Sequence, residues 1–186
     1  MYKRQDYYKS VNNTKLKLVV EEKGPDGDIR FSIMRYLSNG TTLKEIHEGN
    51  LKTGSGNLTM WIISPNLEVG NPIYVHNITE QPTIGNIEER SFAGAKREVA
   101  FSYFPLPAFG EFITQCGVFW DRETGILCSM IMDTDCSLKD EKGNKVELRF
   151  RMVTKIEKTN LWSPSEESFP LYLSITVIII ALLSIS

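Results

Sequence analysis

The apolar residues of this chain recur with a period of two, and that property restricts the fold more than any other. Leu16-Lys17-Leu18-Val19-Val20, Ile29-Arg30-Phe31-Ser32-Ile33, Leu58-Thr59-Met60-Trp61-Ile62-Ile63 and Ile73-Tyr74-Val75-His76 read as strands, because successive side chains of an extended chain point to opposite faces. Further strands are expected over 88–92, 96–103, 111–120, 126–132 and 145–158. Pro25-Asp26-Gly27, Ser38-Asn39-Gly40 and Gly54-Ser55-Gly56 mark reversals between them. Strand follows strand without a helical pattern between, which predicts a mainly β domain of antiparallel hairpins: a strongly curved sheet (half-barrel) or a β-sandwich.

The sharpest local signal is Val118-Phe119-Trp120-Asp121-Arg122-Glu123-Thr124-Gly125-Ile126-Leu127. Here Asp121 suits a turn because its carboxylate accepts backbone N–H bonds, and Gly125 supplies a positive φ at the turn's end. Asp121, Thr124 and Gly125 are therefore expected to be structural turn residues. Trp120 and Leu127 become cross-strand neighbours, and Gly125→Ala is expected to cost about 1 kcal/mol or more.

At the other extreme of pattern stands the tail. Residues 169–186 carry no charge and are dominated by Leu, Ile and Val; as a helix these roughly 18 residues would span about 27 Å, close to the hydrocarbon thickness of a bilayer. Apolar residues on every face of such a helix point to lipid rather than to a protein core. A single transmembrane helix anchored in the cell membrane is thus expected, preceded by a polar linker over 161–168 and a β-rich ectodomain over 6–160. The absence of Lys or Arg after the apolar run leaves its orientation unassigned and fits a clipped gene end. Met1-Tyr2-Lys3-Arg4-Gln5 matches the translated end of a sequencing-library adapter, so residues 1–5 are set apart from the functional reading.

Lys and Arg number 21 against 23 Asp and Glu and are scattered among them, which excludes the basic surface that a nucleic-acid partner requires. Asn-x-Ser/Thr acceptors occur at Asn12, Asn39, Asn57 and Asn77, where chance would place roughly one or two. They are glycosylation candidates and, with the anchor, imply a domain outside the membrane.

The catalytic inventory is thin. His47 and His76 are the only histidines, and neither lies near a Cys or Ser at a nucleophile or metal spacing. Asp133-Thr134-Asp135-Cys136-Ser137 opens like a calcium loop, but Leu138 and Asn144 stand where a Gly and a bidentate Glu are needed. Cys116, Cys128 and Cys136 contain no Cys-x-x-Cys, and the first two fall some four strand positions out of register, on the order of 13 Å apart and too far for a disulfide. No catalytic residue, metal site or cofactor is expected.

The runs Ala93-Gly94-Ala95-Lys96-Arg97-Glu98-Val99, Phe119-Trp120-Asp121-Arg122-Glu123-Thr124-Gly125-Ile126-Leu127-Cys128 and Thr159-Asn160-Leu161-Trp162 resemble uncharacterised archaeal surface proteins with a C-terminal transmembrane segment. The resemblance implies an archaeal origin and an anchored β-rich ectodomain, and brings no activity or binding residues. The aromatic-Asp-x-x-Thr-Gly-Ile-Leu hairpin also resembles one in the half-barrel lipoprotein carriers of bacterial envelopes. Two functions follow. A non-catalytic domain for envelope structure, adhesion or partner binding fills its interior with its own side chains; a carrier of a lipid or other apolar ligand leaves an open groove, lined by residues such as Trp61, Phe101, Phe104, Phe119 and Met130.

Overall fold

A computed structural model describes residues 15–75, 78, 80–106, 112–139, 143–157, 159, 161–162, 172–174 and 182–185. The strands in chain order are β1 (Lys15–Lys23), β2 (Asp28–Tyr36), β3 (Thr42–Asn50), β4 (Asn86–Phe92), β5 (Ala95–Pro105), β6 (Phe112–Asp121), β7 (Leu127–Lys139), β8 (Lys145–Lys155), β9 (Tyr172–Ser174) and β10 (Leu182–Ile185). They build two antiparallel sheets, β3-β2-β1-β9 and β10-β8-β7-β6-β5-β4, and neither closes into a barrel. No described residue is helical, and no helix among the described residues is long and apolar enough to cross a membrane.

Both sheets contribute to one core. Leu18, Phe31 and Ile33 from the smaller sheet and Val118, Trp120 and Leu127 from the larger are at most 1% exposed, and each fully buried side chain of this size stabilises the fold by roughly 1.5–3 kcal/mol. The long connection between β3 and β4 completes that core with Leu58, Ile62, Ile73 and Ile84.

This connection departs from the sequence pattern. Neither 58–63 nor 73–75 is a strand; the former is a coil with one isolated bridge, Ile62 to Ile126. Its backbone is satisfied by other means: Met60 C=O accepts from Trp120 Nε1 at 2.7 Å, and Trp61 C=O accepts from the Leu127 N–H at 3.0 Å. Apolar residues placed over a sheet are rewarded for burial whether or not they extend a ladder, provided their polar backbone atoms find partners. Conversely, β3 is a strand in which Leu43 and Ile46 stay exposed, so hydrophobic alternation does not announce it.

The apolar tail, 169–186, lies largely outside the described residues, and a transmembrane helix is not shown there. Its described parts are extended: Leu173 pairs with Leu16 of β1, and Leu183 with Leu148 of β8. An open sheet edge offers unpaired N–H and C=O groups, so a β-branched, apolar segment can satisfy its backbone there.

Candidate binding surface

Partners in register share a face, so the strand pairings sort the larger sheet into two sides. One side carries Ala100, Trp120 and Leu127, then Ser102, Val118 and Met130, then Phe104, Cys116 and Met132, and packs toward the core. The other side carries the rows Phe101, Phe119, Ser129; Tyr103, Gly117, Ile131, Val153; Gln115, Asp133, Arg151; and Ile113, Asp135, Arg149.

This second side is covered at one end and open at the other. At the covered end the Trp162 ring lies 5.0 Å from the Arg97 guanidinium, and the buried Ile156 extends the β7–β8 ladder by one residue, its N–H donating to Cys128 C=O at 2.8 Å. Trp162 packs against the core, whereas Leu161 is exposed. Arg97 also fixes the turn between β6 and β7. It donates from Nε to Asp121 Oδ1 at 2.6 Å and from Nη2 to Glu123 at 2.6 Å, while the fully buried Asp121 accepts from the Thr124 N–H at 2.9 Å and the Thr124 hydroxyl at 2.6 Å. The Asp121 hydrogen bond holds the Arg97 guanidinium protonated well above its usual range. Every one of these bonds closes the turn, and Gly125 completes it at φ 76°. Trp120 faces Leu127 across the hairpin, with Cys128 as the extra residue of a bulge.

At the open end lie Tyr103 and Ile113, each 61% exposed. Gly117, on β6 with Ile113, lies directly opposite Tyr103, and a Cβ there would stand 3.5 Å from Tyr103 and 3.6 Å from Phe101. The missing side chain lets both aromatic rings lie across the sheet. Phe101 stacks on Phe119 with centroids 4.5 Å apart, and the Arg90 guanidinium caps Phe119 at 4.2 Å, so the row is buttressed from one end. The flank is held by two forked ion pairs across β7 and β8: Arg151 to Asp133 at 2.6 and 3.0 Å, and Arg149 to Asp135 at 2.6 and 3.3 Å. The hydrogen bonds from Arg149 hold the Asp135 carboxyl below its usual range. Beside this face, where β5 runs past the start of β4 with β6 as its ladder partner, an open cleft of about 740 Å³ is lined by Phe101, Tyr103, Phe104 and Leu106 together with Glu80 and Gln81. The arrangement offers an exposed aromatic and an aliphatic residue, a cleft of mixed polarity and a rim of paired charge. Such a surface can bind.

Of the residues expected to line a carrier's groove, Phe101 and Phe104 line this one cleft, whereas Trp61, Phe119 and Met130 do not. Phe101 and Phe119 point to one side of the sheet, Phe104 and Met130 to the other, and Phe104, Phe119 and Met130 are each 6% exposed. Alternation along β5 decides this, since 101 and 104 differ by an odd number of positions. A larger cleft of about 930 Å³, on the smaller sheet, is polar, lined by Glu22, Asp28, Arg30, Glu48 and Asn57 among others.

Of the histidines, His76 lies outside the described residues. His47 stacks on Phe31 at 5.0 Å, its Nδ1 is 3.2 Å from Asn57 C=O, and its Nε2 stands 3.8 Å from Glu45, beyond hydrogen-bond reach. Asp133 to Ser137 is the middle of β7, not a loop. Among the described residues no three His, Cys, Asp or Glu side chains converge to hold a metal ion. Cys116, Cys128 and Cys136 are all buried; burial pushes the Cys116 and Cys128 thiols up to about 12.

Asn12 and Asn77 lie outside the described residues, whereas Asn39 and Asn57 occupy contrasting sites, a turn tip and a sheet edge. No sequence signal marked Tyr103 and Ile113 as the exposed pair: alternation shows which residues share a side but not which side is covered.

The fold and surface define a class, an antiparallel β protein of two open sheets sharing one core, with an exposed aromatic face. No protein-family model, curated protein or solved structure matches the chain.

Proposed function

We propose that this protein is a single-pass, membrane-anchored β-domain outside the membrane that binds a protein partner, without catalysis, through the Phe101, Tyr103 and Ile113 face of its larger sheet. The two open sheets over one core are read as a β-sandwich. The carrying observation is the exposure of Tyr103 and Ile113, 61% each, on a sheet whose opposite side, from Cys116 to Trp120, packs into the domain's own core. Tyr and Arg are residue types that dominate protein interfaces, and the cleft next to Tyr103 has room for a partner's side chain. The uncharged run 169–186 supports the anchor as a helix in the bilayer.

The test uses the full chain in its own envelope, with a photoreactive phenylalanine at position 103 and, as control, at position 44 on the far sheet. A crosslink to one partner is expected from 103 at least tenfold above that from 44, and Ile113→Asp should abolish it. Equal yields from both positions would overturn the binding face. Location is read separately: the chain should sediment with membranes and be cut by protease added outside, and protection in intact cells would overturn the extracytoplasmic placement.

A further inference from the structure

The two described Asn-x-Thr acceptors differ in a way their sequences do not show. Asn57-Leu58-Thr59 is built into the fold. The Asn57 side chain acts as a short strand beside β3: Oδ1 accepts from the Glu48 N–H at 2.7 Å, Nδ2 donates to Ile46 C=O at 3.4 Å, and the Asn57 N–H donates to Glu48 C=O at 2.9 Å. Leu58 is 1% exposed, and the Thr59 hydroxyl is buried. Asn39-Gly40-Thr41 is the tip of the β2–β3 hairpin, with all three residues exposed. Asn39 Oδ1 accepts from the Thr41 N–H at 2.9 Å, and no described residue accepts a hydrogen bond from its Nδ2. Gly40, at φ 82°, has no atom of the described residues within 4 Å of where a Cβ would stand.

Resting on the extracytoplasmic reading above, we infer that Asn39 is an N-glycosylation site and that Asn57 is not. The donor is a polyprenyl-phosphate-linked oligosaccharide. Asn39 Nδ2 bonds to its anomeric carbon and gives up one of its two protons, while the anomeric C–O bond breaks and the lipid phosphate leaves. The acceptor hydroxyl at Thr41 is open to the transferring enzyme; that of Thr59 is sealed in the domain. A glycan on Asn57 would also displace the amide from the β3 edge.

The full chain, carrying one added Asn-Ala-Thr reporter ahead of Met1, is produced in a host that glycosylates such acceptors, and its peptides are analysed by mass spectrometry. The expected result is glycan on the reporter and on the Asn39 peptide, at least tenfold lower occupancy at Asn57, and loss of the Asn39 glycan in both Asn39→Gln and Thr41→Val. Reporter glycosylated with Asn39 empty, or folded protein carrying glycan at Asn57, would overturn the inference while leaving the location intact. An empty reporter would overturn the extracytoplasmic reading, and this inference with it.

Discussion

Replacing Gly125 by Ala puts a methyl group where the backbone of a neighbouring loop already lies. The residue has φ 76°, and an ideal Cβ would stand 2.0 Å from Ile63 O, 3.1 Å from Ile63 C and 3.3 Å from Pro65 N. These are backbone atoms of a core-lining segment, not a flexible side-chain end, and Ile63 itself is 4% exposed. Three penalties add: about 1 kcal/mol for a left-handed Ala, about 0.5–1.5 kcal/mol for the Ile63 N–H bond to Gly125 C=O, and about 1 kcal/mol or more for moving the loop off its packing. That bond is 2.9 Å long in the native turn. The total is about 3 kcal/mol, well above the strain of the turn alone. Gly94→Ala is the matched control, since Gly94 has φ 81° and nothing within 4 Å, so only the strain of about 1 kcal/mol applies. Thermal and denaturant unfolding of both variants measure the difference, and at roughly 2–4 °C per kcal/mol the Gly125 variant should melt about 4–8 °C below the control. Equal melting temperatures would refute the reasoning, by showing that Ile63 and Pro65 yield freely.

Asp121→Ala leaves the Arg97 guanidinium only its exposed partner Glu123 and removes both bonds from Thr124, so a loss of about 3 kcal/mol is expected in denaturant melts. Adding Arg97→Ala should then cost much less than it does in the native background; strict additivity would show that the two do not act as a unit. Cys116 and Cys128, ordinarily near 9.0, have folded-state values of about 12 because burial disfavours the thiolate. The unfolded chain therefore loses these protons first, so stability is intact below pH 9 and falls as the pH rises from about 9 to 12. Cys116→Ser/Cys128→Ser should flatten that alkaline slope, and an unchanged slope would count against buried thiols as its source.

Much of the fold is legible in the sequence because period-two burial and turn chemistry are local. The apolar alternation of Leu16 and Leu18, and of Phe31 and Ile33, falls on strands, and the Asp121 to Gly125 turn carries its own donors, acceptor and glycine. Leu58–Ile63 looks the same to a pattern but is coil, because Trp120 and Leu127 supply the hydrogen bonds a strand partner would have given. The candidate surface was less legible still. Tyr103 and Phe119 share one side, and only tertiary packing, with Phe101 stacked on Phe119 and the Arg90 guanidinium over its ring, leaves Phe119 covered and Tyr103 exposed.

By itself, then, the sequence determined the period, the turns and the glycines, since each depends on a residue and its near neighbours along the chain. It also determined that an uncharged stretch of Leu, Ile and Val ends at Ser186. Tertiary structure alone decided which side of each strand faces the core, that Arg97 meets Asp121 across 24 residues, and that two identical acceptor motifs became an open hairpin tip at Asn39 and a sheet-edge clamp at Asn57. The reason is physical: alternation is set by the geometry of one strand, whereas burial and hydrogen-bond partnership depend on what other segments come to cover it.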